Sequence, residues 1–287
     1  MLFSNCRTDI AIESLNTSKS LQNDTKNISG AVSTEKDIKG FPVVSVKIEN
    51  NNASEIIGKP IGTYHTINID SLISRQENAF SNACEILSSL INEFLPNDKH
   101  APVLVVGLGN RNITPDAIGP YTSEYLLATR HLLEQNISIF DGWRAVSVIS
   151  CGVLGQTGIE VKELVTGVID KIKPCLVVAV DALATNDSER LCRTIQLSNA
   201  GIVPGSGVQN SRSALNEQTL GVPVIALGAP TVIDASNIFS DDKKTPLLVT
   251  TRDIDRDVLD ISRVIGYSLN MAFQPDLTPE TIDLYLS

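Results

Sequence analysis

The sequence predicts an α/β protein of a single domain, built on a mostly parallel sheet that is flanked by helices. From residue 103 onward, short apolar runs alternate with stretches whose apolar residues recur at helical spacing. This alternation is typical of a parallel sheet that helices cover on both faces. Glycine-rich loops and isolated carboxylates follow several of the runs, at the edge of a parallel sheet where ligands bind.

The predicted elements begin after a polar N-terminal stretch. Residues 1–40 are rich in Ser, Asn, Thr and Lys, which predicts a tail that is partly mobile. Residues 7–13 are the exception, since their apolar side chains could pack against another surface. Alternation predicts strands over residues 41–48 and 64–69, and helical spacing predicts a helix over residues 71–94.

A strand–helix rhythm fills the remainder of the chain. Strands are predicted over residues 103–106, 145–149, 176–180 and 222–227, with a short edge strand at 247–249. Helices are predicted over residues 121–133, 158–172 and 258–273. Neither an internal repeat nor a domain boundary is visible within residues 41–287.

Composition argues against several classes of function. The 287 residues carry a net charge of −10, whereas a nucleic-acid-binding surface needs a net basic face. The five cysteines are scattered without a CxxC pair, which disfavours a disulfide framework or a thiolate zinc site. The chain shows neither a signal-peptide pattern nor an apolar run of about 18 residues. We expect a cytoplasmic protein with no nucleic acid and no membrane as partner.

The most informative loop follows the strand predicted at residues 103–106. It contains Gly107, Gly109 and Asn110, and then presents a single carboxylate, Asp116. A dinucleotide-binding turn would need a third glycine at position 112, which is Asn, and an acidic residue after the next strand, which is missing. We therefore expect the glycines to turn the chain off the strand so that the loop presents Asp116.

A second carboxylate, Asp181, ends the apolar run at residues 176–180. It could cap the following turn, but burying a carboxylate there is costly without a partner or a task. If both strands lie in one parallel sheet, Asp116 and Asp181 meet at the same edge, where neighbouring carboxylates split their pKa values. One could then act as general base on water and the other as acid toward the leaving amine.

Two further glycine-rich loops occur at residues 152–160 and 201–208. In the first, Thr157 and Glu160 fit a capping box for the next helix, and the glycines could let the backbone approach a bound peptide. Backbone N–H groups of either loop could stabilise a developing oxyanion. The residues expected to support the site are Gly107, Gly109, Asn110, Gly152, Gly155, Gly158, Gly205 and Gly207.

Nucleophilic side chains are weaker candidates. Ser206 lies between two glycines but lacks the spacing of a nucleophile elbow. Cys151 and His131 form a conceivable pair, which we rank below the two aspartates because His131 falls inside a predicted helix.

Five segments together resemble the bacterial spore germination protease family, from Arg7 to the C-terminal helix. They are GLGNRNITPDAIGP (107–120), GVLGQTGIE (152–160), VAVDALAT (178–185), TIQLSNAGIVPGSGV (194–208) and PVIALGAPTVIDA (223–235). The resemblance implies an α/β fold related to hydrogenase-maturation peptidases. It also implies an aspartate-dependent endopeptidase, without a cofactor, whose two functional aspartates match Asp116 and Asp181.

The resemblance further implies processing and partners. Members of the family are made as zymogens, lose a short propeptide by self-cleavage and assemble as homotetramers. They degrade small acid-soluble spore proteins in the spore core, and cut after an acidic residue that precedes an apolar residue, Ala and a downstream Glu. Residues 8–13 fit that pattern. We expect a propeptide of residues 1–9, cleavage between Asp9 and Ile10, a tail of residues 10–40 and a peptidase domain of residues 41–287.

Two alternatives remain open. Hydrogenase-maturation peptidases share the loop layout, but they bind a metal, typically nickel, through two carboxylates and a His. No His follows His131 in this chain, which weakens such a site because imidazole is a strong ligand of first-row metals. The other alternative is a catalytically silent spore protein, against which the presence of both aspartates argues.

Overall fold

The computed structural model describes residues 8–21, 28–135, 137–208, 212–238 and 247–287. Over these residues the chain forms a single α/β domain around one mixed sheet. The strands of the sheet are β1 (Ala31–Ile38), β2 (Phe41–Ile48), β3 (Gly62–Asn68), β4 (Val103–Leu108), β5 (Val146–Gly152), β6 (Leu176–Thr185), β7 (Thr194–Ser198), β8 (Val224–Asp234) and β9 (Leu248–Val249).

Helices of very different lengths connect and cover the strands. They are α1 (Ala11–Leu21), α2 (Asn51–Ile57), α3 (Asp70–Ile73), α4 (Ala79–Asn92), α5 (Ile118–Glu124), α6 (Arg130–Glu134), α7 (Leu154–Thr157), α8 (Val161–Ile172), α9 (Glu217–Leu220), α10 (Ile254–Phe273) and α11 (Pro279–Leu286). None of these helices, within the described ranges, combines the length and apolarity that crossing a membrane requires.

The sheet has a parallel core and an antiparallel extension. Its strand order is β1-β2-β3-β7-β8-β6-β4-β5, and β9 pairs with β8 outside this path. Strands β8, β6, β4 and β5 are parallel, whereas β1, β2, β3 and β7 run antiparallel to their neighbours. Every residue of β4 is buried, as expected for a strand that is covered on both faces. The predicted α/β class, with a sheet mostly parallel in its core and flanked by helices, is confirmed.

Helices cover both faces of the parallel core. Leu104 and Val105 are adjacent in β4 but belong to different buried clusters, because successive side chains of a strand point to opposite faces. Val105 shares its cluster with Leu87 of α4 and Ile261 of α10. Leu104 shares its cluster with Val165 of α8. The core therefore consists of two apolar layers with the sheet between them.

A third buried cluster corrects the expectation of a tail over residues 10–40, because the described part of this range is folded. Helix α1 follows Ile10, and Ile10 and Leu15 pack with Val46 and Ile48 of β2. Strand β1 then pairs along its whole length with β2. Six of the eight residues of β1 are exposed at the edge of the sheet, which accounts for the polar composition that predicted a tail.

Two predicted helices are interrupted in the structure. The range 71–94 contains α3 and α4, separated by a turn in which Arg75 and Asn78 have positive φ angles. The range 121–133 contains the end of α5 and most of α6. Apolar spacing alone did not reveal these breaks because it continues across both turns.

The predicted capping box at the start of α8 is wrong. Thr157 lies in the preceding short helix α7, and its Oγ1 accepts a hydrogen bond from the Ile159 N–H. Glu160 is itself the N-cap residue of α8, without a side-chain capping bond. The glycine at position 158 ends α7 in a left-handed conformation, with φ of 70°, and so shifts the start of α8.

Candidate active site

The described residues form a cleft of about 540 Å³ at the carboxyl ends of the parallel strands. Asp116 and Asp181 both line it, as do residues 152–154 after β5 and the whole segment 200–207. Asp9, from the N-terminal segment, lines the same cleft. Residues that are far apart in sequence therefore share one cavity, at the edge of the sheet where ligands are expected.

Asp116 is presented by a tight loop that follows β4. Gly109 turns this loop with φ of 107°, and a side chain at Gly109 would collide with the backbone carbonyl oxygen of Asp116. The Asn110 N–H donates to Asp116 Oδ2 over 2.8 Å. Burial raises the pKa of Asp116, and the Asn110 N–H offsets part of that rise because it stabilises the carboxylate.

Asp181 was predicted to lie at the end of its strand, but it lies inside β6. Strand β4 pairs with β6 as far as Val180, opposite Gly107, whereas β8 pairs with β6 as far as Thr185. Asp181 is therefore the first residue of β6 beyond its pairing with β4, and its side chain borders the cleft. The Ala182 N–H donates to Asp181 Oδ1 over 2.9 Å.

The two carboxylates interact electrostatically. Burial raises the pKa of Asp181 well above its usual range, and the charge of Asp116 raises it further. The charge of Asp9 acts in the same direction, whereas the Ala182 N–H acts against it. Two carboxylates in a poorly solvated cleft resist simultaneous ionisation, so the charge of one favours a proton on the other. Such a pair can accept a proton at one carboxylate and donate one from the other.

Asp9 is bound in the cleft through both its main chain and its side chain. Its N–H donates to the Ala184 carbonyl oxygen over 2.9 Å, and the Ala184 N–H donates to Asp9 Oδ2 over 2.9 Å. Ser206 Oγ donates to Asp9 Oδ1 over 2.6 Å. A side chain at Gly207 would collide with the Asp9 carboxylate, so glycine permits this close approach. The residue expected to precede the cleavage site thus lines the same cleft as the paired aspartates.

A glutamine that sequence reasoning missed contacts the chain on both sides of Ile10. Gln196 Nε2 donates to the Asp9 carbonyl oxygen over 2.9 Å, and Gln196 Oε1 accepts from the Ala11 N–H over 2.7 Å. Gln196 belongs to β7, in which every residue is buried. A long polar side chain in a short buried strand was the signal that could have identified it, since buried amides need partners.

Glu13, in the first turn of α1, occupies a separate polar pocket. Its carboxylate accepts hydrogen bonds from Thr185 Oγ1 over 2.5 Å and from the Asn186 N–H over 3.0 Å. The Arg190 Nε lies 3.5 Å from the same carboxylate. Burial raises the pKa of Glu13, although these partners lower it. The sequence pattern identified Glu13 but not the residues that bind it.

Lys59 lies close to both acidic residues of the N-terminal segment. Its Nζ donates to the Thr8 carbonyl oxygen over 2.8 Å. Burial lowers the pKa of Lys59, while the charges of Asp9 and Glu13 raise it. The lysine thus stabilises the bound segment both through a hydrogen bond and through its charge.

The predicted supporting residues differ in their relation to the cleft. Those that line it are Gly109, Gly152, Gly205 and Gly207. Asn110 does not line the cleft, and its Oδ1 accepts a hydrogen bond from Gln156 Nε2 over 2.7 Å. A side chain at Gly107 would collide with α5, so this glycine allows close packing. Gly155 and Gly158 lie outside the lining, with open space where a side chain would stand.

The geometry of the cleft does not support catalysis by a nucleophilic side chain, either Cys151 with His131 or Ser206. Cys151 is buried in β5, where burial raises the pKa of its thiol to about 11, and His131 is exposed on α6. Neither residue lines the cleft. Ser206 does line it, but its hydroxyl binds the Asp9 carboxylate. Across the described ranges, His, Cys, Asp and Glu form no group of three or more that could hold a metal ion.

The fold and the cleft define a class of protein. It is an α/β protein with two interacting carboxylates at the carboxyl edge of its parallel strands, an arrangement suited to hydrolysis. Residues 8–245 match the family model described as Germination protease, and the chain belongs to this family of peptidases.

Several relatives carry the same name. The chain is 37% identical to a germination protease of Clostridium perfringens over 325 aligned positions, which cover 99% of each chain. It is also 37% identical to a germination protease of Caldanaerobacter subterraneus, over 98% of each chain. A germination protease of Bacillus cytotoxicus is 43% identical over 239 residues, which cover 82% of this chain and 65% of the relative.

Proposed function

We propose that this chain is the endopeptidase that starts the degradation of small acid-soluble spore proteins when a spore germinates, and that it acts in the spore core. Its membership of the germination protease family supports the reaction class and the process. The observation that carries the proposal is the placement of Asp116, Asp181 and Asp9 in one cleft. Assembly as a homotetramer is part of the proposal, and a solution mass that does not correspond to four copies of the chain would contradict it.

In the proposed mechanism, the aspartate pair activates a water molecule against the peptide carbonyl carbon. Asp181 holds the proton of the pair, because its burial and the neighbouring charge of Asp116 raise its pKa most strongly. Asp116 is the base, because the Asn110 N–H stabilises its ionised form. Asp116 takes a proton from water as Asp181 protonates the leaving nitrogen, so the pair ends with the same number of protons.

The same site supports self-processing between Asp9 and Ile10. The acidic residue before this bond is bound by Ser206 and Ala184, and the downstream Glu13 is bound by the pocket of Thr185, Asn186 and Arg190. An uncleaved segment in this position occupies the cleft that a substrate needs, which provides a physical basis for a zymogen. Residues 1–7 of the proposed propeptide lie outside the described residues.

Neutral substitutions of the two aspartates test this proposal. We expect Asp116→Asn and Asp181→Asn each to slow cleavage of a small acid-soluble spore protein at least about 100-fold, because each removes one proton-transfer group. Both variants should remain folded. The raised pKa of Asp181 means that the fold loses stability as pH rises through it, so the neutral Asn variant is at least as heat-stable at neutral pH.

A matched control is Asp170→Asn, on the surface of α8, where the aspartate side chain is 72% exposed. This variant should cleave at the wild-type rate. Full activity in either Asp116→Asn or Asp181→Asn would remove that residue from the mechanism.

A further inference from the structure

The side-chain amide of Gln196 contacts main-chain groups on both sides of Ile10, one of which is the carbonyl oxygen of the Asp9–Ile10 peptide bond. Gln196 Nε2 donates to the carbonyl oxygen of this bond over 2.9 Å, and Gln196 Oε1 accepts from the Ala11 N–H over 2.7 Å. Both partners are main-chain groups, so the contacts do not depend on the side chains of the bound segment. We propose that Gln196 is the oxyanion-stabilising residue of this peptidase and that it sets the position of the scissile carbonyl. This inference rests on the proposed function.

The sheet places Gln196 and Asp181 on the same face, toward the cleft that Asp9 also lines. Gln196 pairs with Gly228 of β8, and Gly228 pairs in turn with Asp181 of β6. Residues directly opposite each other in neighbouring strands point to the same face, so Gln196 and Asp181 face the cleft together. Two strand spacings separate their backbones by roughly 10 Å. Gly228 carries no side chain between them, and a side chain there would collide with the Asp181 carbonyl oxygen.

The amide donor is matched to the charge that the reaction creates. When the water oxygen bonds to the Asp9 carbonyl carbon, the carbonyl π electrons move to the oxygen that Gln196 Nε2 contacts. When the carbonyl re-forms, the C–N bond breaks, its electron pair stays on the Ile10 nitrogen, and that nitrogen takes the proton of the acidic carboxyl. A donor already aimed at this oxygen in a poorly solvated site needs no reorganisation as the charge develops.

The second contact fixes the register of the peptide. Because Gln196 Oε1 accepts from the Ala11 N–H, the amide side chain cannot rotate its donor away from the Asp9 carbonyl without losing that bond. Thr66 of β3 and Gly228 of β8 flank Gln196 in the sheet, so its backbone is held on both sides. A separate spore protein can use the same two contacts once residues 9–11 have moved away from Gln196, and the cut after Asp9 frees one end of that segment.

The test compares Gln196→Met, which keeps the length of the side chain but removes both the Nε2 donor and the Oε1 acceptor, with the exposed control Gln76→Glu. Steady-state cleavage of a small acid-soluble spore protein should show kcat reduced by about 100- to 1000-fold in Gln196→Met, the loss typical of one oxyanion donor. KM should change far less, and Gln76→Glu should match the wild type. A folded Gln196→Met protein with wild-type kcat would overturn the proposal. A wild-type enzyme that cuts no spore protein would instead overturn the proposed function.

A second measurement leaves the enzyme unaltered, in case Gln196→Met fails to fold. A synthetic peptide of residues 4–16 is compared with its analogue in which an ester oxygen replaces the Ala11 N–H that Gln196 Oε1 accepts. We expect wild-type enzyme to cut the analogue between Asp9 and Ile10 at least about 10-fold more slowly, since each tenfold corresponds to the energy of one good hydrogen bond. Equal rates would contradict the positioning role. Failure to cut the parent peptide would contradict the proposed cleavage site.

Discussion

Asp181 and Asp116 meet because β4 is shorter than β6. Strand β4 stops pairing at Val180, so the carboxylate of the next residue borders a cleft where a neighbouring strand would otherwise lie. The loop that leaves β4 returns over the same place and carries Asp116 on a tight 3-10 turn. Each carboxylate is buried enough for its pKa to rise, and each keeps a backbone N–H that stabilises the charged form.

In the proposed mechanism, in which Asp116 is the base and Asp181 the acid, the pH dependence of cleavage follows from these environments. Asp116 must be ionised to act as base, and its raised pKa moves the acidic limb of kcat/KM above the range of an ordinary aspartate. Asp181 must stay protonated to act as acid, and its more strongly raised pKa places the loss of activity at higher pH. We expect a bell-shaped profile of kcat/KM for spore-protein cleavage, with apparent pKa values that belong to the pair. A profile that stays flat from pH 4 to pH 9 would contradict the pairing.

At the scale of elements, α1 is part of the domain. Leu15 of α1 packs against β2 together with Ile10, which precedes the helix, and Glu13 of α1 enters the pocket at the end of β6, so the same helix serves packing and recognition. The sequence predicted the parallel strands well, because their apolar runs are long and buried on both faces. It did not predict α1 and β1, whose polar residues are typical of a tail when the partner strand is not known.

Truncating Leu15 tests whether α1 contributes to the fold. Leu15 is 1% exposed, so we expect Leu15→Ala to lower the free energy of unfolding by about 2–5 kcal/mol in urea titrations. Asn16→Ala, on the exposed side of the same helix, is the control and should change it by less than about 0.5 kcal/mol. Equal stability of Leu15→Ala and the wild type would show that α1 does not belong to the cooperative unit.

At the scale of the whole molecule, strand order decides which residues share the site. The sequence placed Asp116 and Asp181 at one edge of the sheet because Asp116 follows β4 and Asp181 is the first residue of β6 beyond its pairing with β4, and both strands belong to the parallel core. Gln196 was not predictable, because β7 is antiparallel and reaches the cleft through its pairing with β8. No local pattern in the sequence specifies that β7 lies between β3 and β8. Sequence reasoning therefore finds the two carboxylates that line the cleft but misses the amide that contacts the Asp9 carbonyl oxygen.

In the proposed mechanism, hydrolysis by the paired aspartates acts on the peptide bond that the N-terminal segment places in their cleft. It is tested most directly by intact-mass analysis and N-terminal sequencing of the purified full-length chain after incubation, with Asp181→Asn in parallel. We expect a wild-type product that begins at Ile10 and an Asp181→Asn protein that keeps residues 1–9. Processing of Asp181→Asn at the wild-type rate, or an active wild-type enzyme that still begins at Met1, would contradict it.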